Sequence, residues 1–199
     1  MKDQPVLWLL AGPNGAGKSS FYEFHLKRHF PELPFVNADV LARQRWPGDE
    51  ERHGHEASRL AAEWRQRMLS SRNSFVTETV FSHPSKVELV RAAKAAGYRV
   101  ILVFVYVEVE VAVARVAYRV AVEGGHAVPE RKIRERHARL SRQVAEAMRS
   151  VDRTEIFYNG APGGVGHERI GFVDAGRVQW TGQPPPAWAS ELVAAAGFS

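Results

Sequence analysis

Cysteine is absent from the 199 residues, so the chain can hold neither a disulfide framework nor a zinc–thiolate centre. No apolar run approaches the roughly 20 residues that a membrane-spanning helix requires, and the N-terminus shows no secretory h-region with a cleavage site. An Asn-Lys-x-Asp guanine-reading signature is missing, as is an apolar strand closing on Asp-Glu. Those two absences argue against a GTPase and against a motor or AAA-type ATPase. Internal repeats and low-complexity segments are also lacking. Together these features point to one soluble domain of ordinary size, in the cytoplasm and without a membrane anchor.

What is present is ordinary in bulk and uneven in detail. Charged residues make up 25% and hydrophobic residues 45%, which is normal for a globular protein. The net charge is +5, and arginines are dense between Arg115 and Arg153. A basic excess serves nucleic acid, but it equally serves an enzyme that handles polyphosphates.

The most informative segment is Gly12-Pro13-Asn14-Gly15-Ala16-Gly17-Lys18-Ser19, which fills the phosphate-loop pattern G-x-x-x-x-G-K-[ST]. Val6–Leu10 leads into it as an apolar strand, and a helix-compatible stretch follows from Lys18 to His29. The glycines let backbone N–H groups turn inward around phosphates, and the helix N-terminus adds partial positive charge. Lys18 is placed to reach the β- and γ-phosphates, and the Ser19 hydroxyl to ligate Mg²⁺. Ser20 continues the ATP-binding set, and the loop Tyr158-Asn159-Gly160, with Asn159, is the candidate for adenine.

Further strand-like runs recur at Pro34–Asn37, Ser74–Thr79 and Arg99–Val107. Helical patterns lie between them at Ala38–Arg45, His53–Ser71 and Ser85–Ala96, with Gly97 as a C-cap and Ser82 or Ser85 as an N-cap. This alternation predicts an α/β fold of the P-loop NTPase, nucleoside- and nucleotide-kinase-like, kind: a parallel sheet flanked by helices. Val109–Val122 and Pro129–Ser150 read as arginine-bearing helices joined by Gly124-Gly125, a helical lid over about 115–136. A strand at Glu155–Tyr158, a hairpin at Ile170–Val173 and Arg177–Trp180, and a short C-terminal helix complete the domain.

Three constellations carry the chemistry. Asp39, after the short second strand in Asn37-Ala38-Asp39, lies where a carboxylate can take the proton of an attacking hydroxyl, although an aspartate there also suits a helix cap. Glu78 and Thr79 end the third strand, where open α/β sheets bind ligands, so both are candidates for acceptor contacts and Glu78 for the metal. Arg115 and Arg119 share one helical face and Arg136 follows on the next helix, in reach of a transferring phosphoryl group. His126, beside the glycine pair, is a candidate ligand contact.

As a set, Gly12–Ser19, Asn37-Ala38-Asp39, Thr77-Glu78-Thr79-Val80-Phe81-Ser82, Gly97-Tyr98, Arg115 with Arg119, and Gly124-Gly125-His126-Ala127-Val128-Pro129 resemble the zeta toxin family of P-loop kinases. The likeness runs from about Val6 to Asn159. It implies ATP and Mg²⁺ as donor pair, Asp39 as base and Lys18 on the phosphates. It also implies acceptor contacts from Glu78 and Thr79, and clamping by Arg119 and a second arginine; Asn37, Arg115 and His126 stand beside these as further candidate substrate contacts. The family's glutamate position falls on Thr77 or Glu78, and the second arginine on Arg131, Arg134 or Arg136, with Arg136 favoured. The acceptor implied is a small molecule of the UDP-N-acetylglucosamine kind, and the partner an antitoxin protein.

Two other readings stand beside this one. A polynucleotide or RNA-end kinase would use the basic helix Pro129–Arg153, but few aromatics interleave with those arginines, so nucleic acid is disfavoured. A nucleotide-gated binding module would use the phosphate loop without any transfer.

Overall fold

The computed structural model describes residues 4–123, 128–160 and 166–199. Its central strand, β4 (Arg99–Tyr106), is buried along nearly its whole length, as a continuous Val-Ile-Leu-Val-Phe-Val run requires when helices cover both faces. Alternation assigns Val100, Leu102 and Phe104 to one core, and Ile101, Val103 and Val105 to the other. β1 (Val6–Ala11) pairs with β4 in parallel. On its other side β1 pairs with β3 (Phe75–Thr79), which carries the short β2 (Phe35–Val36) at the edge.

Beyond β4 lies β5 (Arg153–Tyr158), still parallel, followed by antiparallel β6 (Glu168–Asp174) and β7 (Arg177–Trp180). The sheet order is therefore β2-β3-β1-β4-β5-β6-β7. The phosphate loop leaves β1 toward β2, on one side, while β4 leads on to β5, on the other. Their diverging connections open a crevice at the carboxyl ends of the parallel strands, the usual ligand position in such sheets.

Helices close both faces. α3 (Gly54–Ser71), α4 (Ser85–Ala95), α6 (Glu130–Met148) and α7 (Ala187–Ala195) bury their apolar stripes in the first core. α1 (Lys18–Phe21) and α5 (Val109–Glu123) contribute Phe21, Ala112 and Val116 to the second. α2 (Ala38–Arg45) packs on α3. Among the described residues no helix is long and apolar enough to cross a membrane.

The expected elements are present, with three local corrections. The helix anticipated over Lys18–His29 is α-helical only to Phe21 and continues as a π-helical turn, Tyr22–Leu26. Consecutive aromatics drive this widening: Phe21 packs edge-on against Phe157 and Tyr22 stacks on Phe35 at 3.8 Å. Neither Ser82 nor Ser85 caps α4. Pro84 occupies the cap position, and the His83 imidazole accepts from the Ser85 N–H at 3.2 Å. Asp39 does not cap α2 either, because Asn37 does: its Oδ1 accepts from the N–H groups of Asp39 and Val40. The hairpin turn behaves as expected, since Asp174 pairs with Arg177 across Ala175 and Gly176, both at positive φ.

Tyr98 ties the α3 terminus to the sheet. Its hydroxyl is buried within 2.7 Å of the Met68 carbonyl oxygen and 2.8 Å of that of Asn73. Replacing Tyr98 by Phe removes that donor; the Met68 carbonyl keeps the Asn73 N–H at 3.2 Å, while the Asn73 carbonyl loses the hydroxyl, at a cost of about 1–3 kcal/mol. Thermal denaturation should show a fall in Tm of a few degrees, with nucleotide affinity unchanged because the residue lies away from the crevice.

Candidate functional site

The phosphate loop leaves β1 at Ala11 and packs under close backbone contact. A Cβ on Gly12 would sit 2.3 Å from the Val105 carbonyl oxygen of β4. Gly17 has φ +83°, and a Cβ there would meet the Asn159 amide at 2.4 Å. Both positions therefore demand glycine. Asn159 Nδ2 donates to the Ala16 carbonyl at 2.9 Å, and the His167 imidazole lies 2.9 Å from the Gly17 carbonyl oxygen, so β5 and the start of β6 brace the loop from outside.

Lys18 is buried, and its ammonium donates to the Pro13 carbonyl at 2.9 Å. Desolvation lowers its pKa, opposed by the nearby carboxylates of Glu78 and Asp39. Glu78 Oε1 stands 3.7 Å from that ammonium. Its Oε2 accepts from the Ser19 hydroxyl at 2.8 Å and from Asn37 Nδ2 at 2.9 Å. Asn37 thus uses one end of its amide to start α2 and the other to hold Glu78. Asp39, two residues on, faces the same cleft from the first turn of α2.

The polar residues of β3 differ in burial, which ends where the strand reaches the cleft. Thr77 is fully buried and donates to the Val36 carbonyl at 2.7 Å, locking β3 to β2. Glu78 and Thr79 line the cleft. Thr79 Oγ1 also accepts from the Phe81 N–H at 3.2 Å. Phe81, fully buried at φ +61°, holds the chain in the left-handed region as it turns along the cleft wall. Of the two alternatives, Glu78 is the one at the phosphate loop.

From the other side α5 and α6 bring their arginines. Arg115 reaches the Gly15 carbonyl and Arg136 the Asn14 side chain, each at 3.4 Å, and Arg119 also lines the cleft. Arg131 is spent on Glu135, and Arg134 on Glu110 and Glu130, so neither competes with Arg136. Asn14, Gly15, Gly17, Lys18, Ser19 and Ser20 line the cleft directly, while Gly12, Pro13 and Ala16 form the loop behind them. His126 lies outside the described residues.

The cleft also has a wall that sequence patterns did not single out: Arg43 on α2, Ser58 and Arg65 on α3, and His83 and Lys86 around the start of α4. One signal was legible, since Arg65 and Lys86 occupy helical positions that otherwise carry apolar residues. The cleft measures 1390 Å³, above the roughly 300–1,000 Å³ of a single small-molecule pocket. It has room for two ligands side by side.

A family model described as zeta toxin matches residues 1–163. The chain belongs to the zeta toxin family. Solved structures agree at the level of fold. The AvrRxo1-ORF1:-ORF2 complex with ATP matches with a TM-score of 0.63 at 18% identity, over 98% of this chain and 65% of that one. The PezAT chromosomal toxin–antitoxin system of Streptococcus pneumoniae gives a TM-score of 0.58 at 15% identity, over 79% and 69%. The Pnkp1/Rnl/Hen1 RNA repair complex gives 0.53 at 17%, over 72% and 46%. The chain thus spans about two thirds or less of the length of the AvrRxo1-ORF1 and RNA-repair chains. No curated protein matches its sequence. Within the zeta toxin family the fold is that of a P-loop kinase, and the crevice above holds the phosphate loop shared by that class.

Folding around His167 is linked to pH. Burial first, then the neighbouring His25 and Arg115, lowers the His167 pKa below the ordinary 6.5, with the Gly17 contact opposing. Between 6.5 and that lower value the unfolded chain binds more protons than the folded one, so stability falls as pH drops through this window. Thermal melts from pH 7.5 to pH 5 should show that decline, and His167→Gln should reduce it, leaving the part due to His25, whose pKa burial also lowers.

Proposed function

We propose that the protein transfers the γ-phosphate of ATP to a hydroxyl of a small acceptor, with Asp39 as general base. One observation carries this reading: Asp39 and the Lys18–Ser19 end of the phosphate loop face the same cleft, coupled through the Asn37–Glu78 contact. A nucleotide-gated binding module has no need of a carboxylate placed there.

Ser19 Oγ and Glu78 Oε2, adjacent at 2.8 Å, form a hard-oxygen donor set that suits Mg²⁺. When bound, the cation neutralises charge on the nucleotide phosphates. The chain's own residues do the rest. Lys18, costly to bury beside one partial partner, gains an anion when the β- and γ-phosphates arrive. Arg119 and Arg136 close on the γ-phosphoryl group from α5 and α6, which act as the lid. Asn37, Glu78, Thr79 and Arg115 orient the acceptor. Asp39 accepts the hydroxyl proton while the acceptor oxygen bonds to the γ-phosphorus and the bond to the β–γ bridging oxygen breaks, releasing ADP.

The family resemblance supports a UDP-amino sugar such as UDP-N-acetylglucosamine as acceptor. The toxin–antitoxin description of PezAT supports a protein antitoxin as partner. An RNA-end kinase is less well supported, because few aromatics interleave with the basic residues of α6. Two of those residues, Arg131 and Arg134, are also ion-paired with glutamates.

The test uses labelled ATP with a panel of UDP-sugars, other metabolites and RNA ends. Asp39→Asn should lower kcat by about 10²–10⁴-fold with ATP affinity within about twofold of wild type, whereas Lys18→Ala should lose ATP binding. Unchanged turnover in Asp39→Asn would remove Asp39 as the base.

A further inference from the structure

The phosphate loop is held from behind by two side chains, and one of them lies in a segment that the family match does not reach. That match ends at residue 163, whereas His167 comes immediately before β6. Tyr158 pairs with Glu168 across the antiparallel β5–β6 ladder, so Asn159 and His167 emerge side by side from neighbouring strand ends. Both reach the same turn of the loop, Asn159 at the Ala16 carbonyl and His167 at the Gly17 carbonyl. A carbonyl oxygen accepts and cannot donate, so the His167 Nε2 facing it carries the proton. The imidazole is seated edge-on against Phe21 at 5.1 Å and His25 at 5.4 Å.

These two contacts act on successive peptide planes. In a trans peptide the carbonyl and the following N–H point in opposite directions. Holding the Ala16 carbonyl therefore fixes the Gly17 N–H, and holding the Gly17 carbonyl fixes the Lys18 N–H. Inward-turned N–H groups of this kind are what cradle phosphate in such a loop. Gly17, at φ +83°, offers the peptides on either side little steric resistance to turning over. Its carbonyl oxygen also accepts from the Phe21 N–H at 2.8 Å, so His167 supplies the second of the two bonds that the oxygen can take. The missing side chain makes room for the arrangement: a Cβ on Gly17 would stand 2.4 Å from Asn159 Nδ2 and 3.2 Å from His167 Nε2.

We propose that His167 is a positioning residue for the nucleotide: by donating from Nε2 to the Gly17 carbonyl it presets the Gly17–Lys18 peptide for the phosphates, which makes the segment beyond residue 163 part of the phosphate site. His167 stands behind the loop and is not among the described residues that line the cleft, so it acts through the peptide and not by touching the ligand. A peptide free to turn over has to be ordered at the moment of binding, and ordering it beforehand removes that cost. A donor on the carbonyl also polarises the N–H of the same peptide and strengthens it toward an anion. The proposal rests on the kinase reading for naming ATP as the ligand of the loop, but not for phosphoryl transfer.

Calorimetric titration of the full chain at pH 7.5 tests this with two probes, each with Mg²⁺: a non-hydrolysable ATP analogue, and inorganic tripolyphosphate, which offers phosphate and nothing else. In His167→Leu, which keeps an apolar contact with Phe21 but donates nothing, Kd for both probes should be about five- to tenfold weaker. In His167→Gln, whose amide can donate to the same carbonyl, both should stay within about twofold of wild type. A merely structural role, in which ring packing anchors the hairpin, would not give that rescue. The proposal is overturned if His167→Leu binds the analogue like wild type, if tripolyphosphate does not bind or keeps its affinity in His167→Leu, or if His167→Gln is as weak as His167→Leu. Ring-nitrogen NMR of wild type makes the test independent of how the variants fold: Nε2 should carry the proton with Nδ1 bare, and the opposite tautomer overturns the proposal. Failure of the kinase reading looks different: wild type labels no acceptor, yet both probes still bind and still depend on His167.

Discussion

The Glu78 carboxylate is the point at which the separate parts of this protein meet. One oxygen accepts from Ser19 in the phosphate loop and from Asn37 at the head of α2, and the other faces the buried Lys18 ammonium. β1, β2 and β3 are adjacent strands, so three short connections can converge on one side chain without any long-range insertion. Asn37 makes the convergence directional. Its carbonyl begins the helix that carries Asp39 while its amide holds Glu78, so the position of the candidate base is mechanically linked to the phosphate loop. Remove the carboxylate and Lys18 is left buried with a backbone carbonyl for company, an arrangement that costs several kcal/mol.

That dependence explains why some of the site was legible in the sequence and some was not. The phosphate loop is legible because backbone sterics at Gly12 and Gly17 leave few alternatives to glycine. The parallel strands are legible because burial on both faces requires unbroken apolar runs, and β4 is the clearest case. The choice between Thr77 and Glu78 needed tertiary contacts. Only the structure shows that Thr77 is buried and donates to the β2 backbone while Glu78 opens onto the cleft. The choice among Arg131, Arg134 and Arg136 needed tertiary partners, because Glu110 on α5 takes Arg134 away from the cleft.

The misreadings share a cause. A cap assignment that considers only Ser, Thr, Asp and Asn misses His83, whose imidazole can accept the Ser85 N–H where Pro84 fixes the approach. The π-helical turn after Phe21 arises from contacts to Phe35 and Phe157, distant in sequence, and no local propensity encodes them. In both places tertiary packing decided a local conformation. Arg65 and Lys86 are the opposite case: the signal was local, a charge on an apolar stripe, but its meaning depended on the cleft that α3 and α4 help to enclose.

The electrostatics of that cleft follow from its construction. Each of α1 to α6 contributes at least one lysine or arginine to the lining, while the described carboxylates there number only Asp39, Glu51 and Glu78. Because the cations come from different helices, moving one helix cannot neutralise the cleft. Because several are desolvated, they cannot be satisfied by water as fully as surface residues are. The empty protein therefore holds an unfavourable concentration of positive charge that anionic ligands relieve, and walls of low dielectric focus the field toward the strand ends. On the proposed kinase reading, polyphosphate at the loop answers this charge from both sides, Lys18 from the sheet and Arg119 and Arg136 from α5 and α6.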